Sequence, residues 1–520
     1  MIQDQKITLA VSRILQRSER HVDIDKLVET FVDIGIFPQL INRNNQILYG
    51  RRGTGKTHVL KVLQTEISPD NKIVSLYLDC RTLGSTSQFS DTSLPLKKRC
   101  LALFRDILTP IYNTLLEHIV EYPNENAEKA IVALDELLDT ITQPIKSYKQ
   151  DSEVKRIEKE VGKSKTGGLN ITSTSPDLSL NYSDKESSTQ ATEQTFRVNE
   201  EDKIIFPSLH KSLSETLELA DVELYLLIDE WSSIPEDIQP YLAEFLKRGV
   251  LPVNRAVLKI ASLEYRSKFK IPNKTPIFGF ELGADISTAP DLDDYYVFDR
   301  NPEQITDLFS EILLKHLNVD LPVDYLKNKY GISSGKDLAS KLFTQRDTLK
   351  ELSRAAEGVV RDLINIFTNA FFDARKRGRD TIDLKAILEA SRQWFEQDKA
   401  QDLDDEMHEV LRRIVEDVIG EKKARSFLLP RSLIKHDTIQ KLFDARVLHH
   451  MQRGYADKDN PGVRYDIYSL DYGTYVDLIG TSKEPQIELF VEDNGADIVV
   501  PFDDKRSIRR IILGEEILEQ

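Results

Sequence analysis

Four short apolar runs stand out from an otherwise mixed chain. They are Ile47-Leu48-Tyr49, Ile73-Val-Ser-Leu-Tyr-Leu-Asp79, Val222-Glu-Leu-Tyr-Leu-Leu-Ile228 and Ala256-Val-Leu-Lys-Ile-Ala261. Runs of this length, rich in branched and aromatic residues, read as buried strands. After the first run, Val59, Leu63 and Ile67 fall at i, i+4 and i+8, the period of an amphipathic helix. Strands alternating with helices imply right-handed crossovers and a parallel sheet covered by helices, an α/β fold. Between the second and third runs lie roughly 140 residues, where a crossover normally needs one helix and short loops. That stretch is read as an insertion, over 93–204.

The insertion has two parts. Over 94–164, Leu101, Leu103, Phe104, Ile107, Leu108 and Ile111 form one apolar stripe, and Val132, Leu134, Leu137, Leu138 and Ile141 another. A helical hairpin projecting from the core is the simplest construction. Residues 165–200 are rich in Ser, Thr, Asn and Gln, the composition of an exposed segment. Within it Leu169, Ile171, Leu178, Leu180 and Tyr182 alternate about Ser175-Pro-Asp177, the pattern of a small β-hairpin. A projection of this size more often recognises a partner than supplies chemistry; a tolerated surface insertion is the alternative. Beyond residue 400 the pattern changes. A helix over 404–419 and helical stretches over 430–445 precede Val447-Leu448 and the alternating run from Val463 to Leu470. Helices followed by a β-hairpin wing predict a winged-helix domain over 403–480. Over 481–520, Ile487-Glu-Leu-Phe-Val491 and Ile498-Val-Val-Pro501 suggest a small appended sheet.

Composition narrows the class. At 520 residues the chain needs several domains, and 40% hydrophobic with 30% charged residues is the mixture of a globular protein. No apolar run approaches the roughly 20 residues of a membrane span, and the first residues lack a signal-peptide pattern, so a cytoplasmic protein away from membranes is expected. Cys80 and Cys100 belong to no CxxC pair, and His449-His450 lacks ligand spacing, so neither a disulfide framework nor a zinc site is expected. The net charge of −16 repels a phosphate backbone, so nucleic acid could be met only through a local basic patch. Lys422, Lys423, Arg425, Arg431, Lys435, Lys441, Arg446 and Arg453 form such a surplus beside the expected recognition helix. Acidic residues interleave with them, and winged helices serve protein contacts as readily, so both partners stay open.

The candidate chemistry begins where the first strand ends. Gly50-Arg51-Arg52-Gly53-Thr54-Gly55-Lys56-Thr57 is GxxxxGK[ST], followed by His58 on the amphipathic helix. The glycines let the backbone curl so that N–H groups point at phosphates, at the positive end of the helix. Lys56 would then reach the β- and γ-phosphates of ATP, and the Thr57 hydroxyl would ligate Mg²⁺. The third strand ends in Asp229-Glu230. Asp229 would hold Mg²⁺ through water and Glu230 would polarise the attacking water, a signature of hydrolysis rather than of binding alone. An acidic helix-capping turn is the plain alternative.

The order of these pieces resembles the origin-recognition clade of AAA+ ATPases. It runs from the GxGKT loop through Tyr77-Leu-Asp-Cys-Arg81, Asp229-Glu230 and Ala261-Ser262 to Glu357-Gly-Val-Val-Arg-Asp362 and Thr381-Ile-Asp-Leu-Lys-Ala-Ile-Leu-Glu-Ala390. The resemblance implies a nucleotide-binding core over 1–80 and 205–300, a helical lid over 301–398 and a winged helix after it. It also implies a sensor-1 role for Ser262 and a sensor-2 role for Arg361, which would read the γ-phosphate from the lid. Val359, Leu363, Phe367 and Phe371 make an apolar stripe, so an ordinary solvated helix position is the alternative for Arg361. The family usually carries Pro-Pro where this loop has Arg51-Arg52, and the two arginines are expected to add phosphate or partner contacts. No arginine finger stands out; Arg266, just past sensor 1, is the best candidate. The domain order is also similar to that of bacterial defence or signalling ATPases with STAND-like switches. The expectation is therefore an ATP-binding, Mg²⁺-dependent switch that meets protein partners through the insertion and the winged helix, with homo-oligomers open. A DNA-dependent initiator or loader and a scaffold with permanently bound ATP are the rivals.

Overall fold

The computed structural model describes residues 1–14, 23–68, 71–84, 91–142, 145–150, 196–201, 204–422, 424–456, 462–481 and 511–518. Its strands, in chain order, are β1 Gln46–Tyr49, β2 Ile73–Asp79, β3 Ile145–Gln150, β4 Phe196–Glu201, β5 Glu223–Asp229, β6 Ala256–Ser262, β7 Ser287–Thr288, β8 Ser426–Pro430, β9 Leu448–Ala456 and β10 Arg464–Leu470. The central sheet has the order β2-β5-β6-β1-β7, and its pairings are parallel. The four apolar runs supply four of these strands. The fifth, β7, is two exposed residues long and carries no pattern to read.

Register decides where the chemistry can gather. Tyr49 lies opposite Ser262, and Asp79 opposite Asp229. Ile228 lies opposite Ile260, so the carboxyl ends of β1, β5 and β6 are level, and the phosphate loop, the acidic pair and Ser262 share one edge, where open parallel sheets place ligands.

Alternation along the strands divides the core. Leu48, Tyr225, Leu227 and Val257 face the phosphate-loop helix Lys56–Ile67 and continue into the lid through Phe309 and Leu313. Ile47, Val74, Leu226, Ile228 and Ile260 face the other way. Here the structure corrects an expectation. The helices Leu96–Glu121 and Ala127–Thr142 do not project: Phe104, Ile107, Leu108, Leu134 and Leu137 join the cluster on this second face. Their stripes are wide enough that solvating them would cost more than seating them on the sheet. Past them, β3 and β4 form an antiparallel ladder. The expected hairpin about Ser175-Pro-Asp177 and the runs at 487–491 and 498–501 lie outside the described residues.

The lid contains the helices Pro302–Val319, Arg346–Ala355, Val360–Lys376 and Leu384–Trp394, among others. After it come helix Asp405–Val415, β8, helices Arg431–Ile434 and Asp437–Asp444, then β9 and β10, with sheet order β8-β10-β9. This helix–strand–helix–helix–strand–strand order is a winged helix. Ile512 bridges Leu428, so the described residues near the end of the chain meet the winged-helix sheet at its β8 edge.

Candidate active site

The phosphate loop leaves β1 and enters the helix Lys56–Ile67 through Gly53 (φ 85°) and Gly55 (φ 101°), left-handed conformations that L side chains avoid. Gly53 has a second reason to lack a side chain. A Cβ there would stand 2.8 Å from the Cβ of Arg361, because the Arg361 amide donates to the Gly53 carbonyl at 3.1 Å. The lid helix Val360–Lys376 thus begins on the phosphate loop itself. It is turned there by Gly358 (φ 77°), where a Cβ would meet the Tyr296 carbonyl oxygen at 2.7 Å. The expected sensor arginine lies half-buried beside the loop, not on a solvated face.

The Lys56 ammonium is buried and donates to the carbonyls of Gly50 (2.7 Å) and Arg51 (3.0 Å). Burial pushes its pKa down; the acids Glu230, Asp229, Asp293 and Asp291 act against that. A buried ammonium held only by neutral carbonyls is suited to an anion. Asp229, fully buried, accepts from Thr57 Oγ1 at 2.6 Å, from the Tyr77 hydroxyl at 2.7 Å and from the Glu230 amide at 2.8 Å. Glu230 follows at φ 54°, a strained position that turns its carboxylate out of the strand. Burial, then the charge of Asp229, pushes the Glu230 pKa up, the direction a proton acceptor for water needs. Arg81 stands 4.0 Å from Glu230 and is itself paired with Asp79 at 2.6 Å.

The donor set fits the group it would hold. Thr57 and Asp229 offer a hydroxyl and a carboxylate, hard oxygens of the kind Mg²⁺ takes when substrate phosphates complete its shell. Bound there, Mg²⁺ would neutralise charge on the β- and γ-phosphates.

The remaining expected residues diverge. Thr54 is buried and closes the loop, donating to the Arg51 carbonyl at 2.9 Å. His58 turns its ring toward the Leu27 carbonyl (2.8 Å) and Phe31. Ser262 is buried and bonded to Ser267. Arg51 turns its side chain away from the loop interior. Its Nε meets Asp293 at 2.8 Å, one terminal nitrogen meets the Glu357 carbonyl at 2.9 Å, and the other meets His449. Arg266, the candidate finger, pairs with Asp444 of the winged helix. Arg52 is exposed and lines a cleft of about 290 Å³ with Arg266, Lys441 and Asp444. The basic surplus of the winged helix is largely matched within the chain: Arg425 by Glu357, Arg446 by Asp362 and Asp398, Arg453 by Glu264 and Asp291, Lys441 by Asp437. Lys423 lies outside the described residues. Tyr77 and Asp293 went unassigned in the sequence. Tyr77 lies two residues before the end of β2, the strand paired with the acidic one, which is a usable signal; Asp293 had none.

A parallel sheet with a phosphate loop after β1, an acidic pair after β5 and a helical lid on the loop defines a P-loop protein of the AAA+ class. The ORC-CDC6-like family profile matches residues 17–318. The chain belongs to the ORC-CDC6-like family, within the origin-recognition clade of AAA+ ATPases. No curated protein matches it in sequence. Among solved structures it is similar to Cdc6p from Pyrobaculum aerophilum, at 12% identity over 90% of this chain and 96% of that one, TM-score 0.32. It is also similar to the ORC2 protein of Aeropyrum pernix, at 11% identity over 92% and 96%, TM-score 0.34. A Walker-type ATPase of Pyrococcus abyssi is similar at 12% identity over 92% and 99%, TM-score 0.38. Among the described residues no helix is long and apolar enough to cross a membrane.

Proposed function

We propose that this protein is a cytoplasmic, Mg²⁺-dependent ATPase acting as a nucleotide-gated switch that assembles with protein partners, in a setting such as bacterial phage defence or signalling. One observation carries the reading. Thr57, Tyr77 and Asp229 form a single hydrogen-bonded unit, with Glu230 next in the chain and the buried Lys56 ammonium beside it. In the roles this supports, Lys56 grips the β- and γ-phosphates, Thr57 and Asp229 hold the metal, and Glu230 orients water. Arg361 reads the γ-phosphate as sensor 2, and Ser262, at the end of β6 next to β1, serves as sensor 1. The working units are the core of 1–80 and 205–300, the insertion 93–204, the lid 301–398 and the winged helix 403–480.

An intact Glu230 speaks against a scaffold with permanently bound ATP. Family membership favours a DNA-dependent loader as the second reading. The net charge of −16 and the internal pairing of the winged-helix cations favour protein partners over DNA. Calorimetry and a phosphate-release assay on two variants test the site. Lys56→Ala should abolish ATP binding, and Glu230→Gln should keep binding while blocking turnover. Unchanged affinity in Lys56→Ala would overturn the assignment.

A further inference from the structure

Three consecutive residues just past β6 hold the winged helix. Glu264 accepts from both terminal nitrogens of Arg453, at 2.8 and 2.7 Å. Tyr265 stands edge-on to Phe443 with centroids 5.1 Å apart, and its hydroxyl meets that of Tyr468 at 3.2 Å. Arg266 pairs with Asp444. The phosphate loop adds Arg51, which bonds His449 and lies 5.5 Å from the Phe443 ring. The lid adds Glu357, paired with Arg425 at 3.0 Å, and Asp362, the neighbour of Arg361, which pairs with Arg446. Each element that would sense nucleotide therefore has an adjacent residue bonded to the winged helix. Of these, Tyr265, Arg51 and Arg266 hold the last turn of the helix Asp437–Asp444, where Phe443 and Asp444 are buried, and the other contacts fall on Arg425, Arg446, β9 and β10.

Charge gives this docking a direction. Asp444 lines one cleft with Arg52 and Arg266. Burial pushes its carboxyl up, while Arg266, Arg52 and Lys56 hold it toward the charged form, so it lies within the field of the lysine that would grip the β- and γ-phosphates. A γ-phosphate arriving beside Lys56 would repel this carboxylate and offer Arg52 and Arg266 a stronger anion, with several oxygens for charge-assisted bonds. ADP has no such group.

We propose that Asp444 is an internal stand-in for the γ-phosphate, latching the winged helix onto the ATPase core, and that ATP but not ADP opens the latch by taking Arg266 from it. This rests on the nucleotide-gated reading above and adds the regulated element. The closed form keeps Arg266 occupied and buries the end of the recognition helix, so hydrolysis and partner binding are both restrained until ATP arrives. A ligand moves such an equilibrium only by its differential affinity, and the coupling is reciprocal. Weakening the latch must therefore tighten ATP.

Spin labels at Lys129→Cys, on an insertion helix packed to the core, and at Ser432→Cys, exposed on the winged helix, report the opening in the full chain. Cys80 and Cys100 are buried and sheltered from the label. With ADP the distance distribution should match that of the nucleotide-free protein. A non-hydrolysable ATP analogue should shift it or add a second population at least ~10 Å away. Asp444→Asn, nearly isosteric, should populate the open form without nucleotide and bind the analogue about tenfold more tightly, with ADP affinity unchanged. The wild-type distances test the latch even if that variant folds poorly. An unchanged distribution with the analogue bound overturns the latch alone, whereas failure of the wild type to bind any nucleotide overturns the ATPase reading with it.

Discussion

Lys399 is the cation on which the junction of lid and winged helix depends. Its ammonium is buried and reaches Asp362 at 2.9 Å and Asp471 at 2.6 Å, two carboxylates with no solvent exposure. Burial alone would push both acids up. Arg446 and Lys399 around Asp362, and Lys399 and His449 around Asp471, hold both below the ordinary 3.8. Lys399→Met keeps the stem volume and removes the charge. Breaking one partner from a buried pair costs about 3–5 kcal/mol, because the remaining charge is left in a poor solvent. Each acid keeps a second partner, Arg446 or His449, so the loss should fall near the lower end, about 3 kcal/mol. Urea unfolding at neutral pH, followed by the transition that reports Trp394 five residues upstream, measures it. The pH dependence has a fixed sign. Carboxyls with lowered folded pKa stabilise above their unfolded value, and that contribution is lost as pH falls through the folded one. Without Lys399 the same groups protonate sooner, which relieves their burial. The variant's deficit should therefore be full at pH 7 and shrink toward pH 4. A deficit below about 1 kcal/mol, or one that grows on acidification, refutes the reasoning.

Arg361→Ala should lose preference for ATP over ADP by about 10- to 100-fold, the worth of a charge-assisted hydrogen bond to the γ-phosphate; an unchanged ATP/ADP affinity ratio returns it to a packing role. Burial pushes the ammonium of Lys259 down to about 7 although it donates to Asn42, the Asn44 carbonyl and Gln46. The unfolded chain keeps that proton up to its ordinary 10.5, so Lys259 costs stability at neutral pH and the cost fades as pH rises. Lys259→Gln should flatten the rise in stability above pH 7 by up to about 1.4 kcal/mol per pH unit, read from unfolding curves on both proteins; parallel pH profiles would show that Lys259 titrates normally. Duplex DNA should bind the ADP-loaded full chain weakly and with a shallow salt slope. Submicromolar affinity falling steeply with salt would favour the loader reading.

The site was legible where its chemistry is contiguous. GxxxxGK[ST] fixes the loop, its lysine and its hydroxyl within eight positions, and Asp229-Glu230 announces itself as an acidic pair ending an apolar run. What Arg51 does was not legible, because its partners Asp293, Glu357 and His449 lie 242, 306 and 398 positions away. The same holds for the basic surplus. Composition counts Arg425, Arg446 and Arg453 as available cations, whereas Glu357, Asp362 and Glu264 of other elements already engage them. In the insertion the periodicity of Leu101 to Ile111 announced a buried face but not which surface buries it; the answer was the free face of the sheet. β8 escaped notice because Ser426 to Leu429 are all buried, so no alternation marks them.

The departure at Arg51 and the docked winged helix are two aspects of one feature. A proline at position 51 would have no amide to donate to Asp293 at 2.8 Å, and no guanidinium to reach Asp293, Glu357 and His449 together. Because a guanidinium can only donate, the His449 nitrogen that meets Arg51 must accept, and its other nitrogen therefore carries the hydrogen given to Asp471 at 2.9 Å. A protonated imidazole has no acceptor nitrogen to offer Arg51, which agrees with burial, first, and the Arg51 charge, second, pushing His449 down to about 3. The chain of donors from phosphate loop to winged helix is thus directional and neutral at its histidine, and it ends on Asp471, which shares Lys399 with Asp362 beside the lid arginine. A shift of the loop around phosphate would move Arg51 against three elements at once. With prolines at these positions this donor chain would be missing; here a shift of the loop is passed directly to His449 and Asp471.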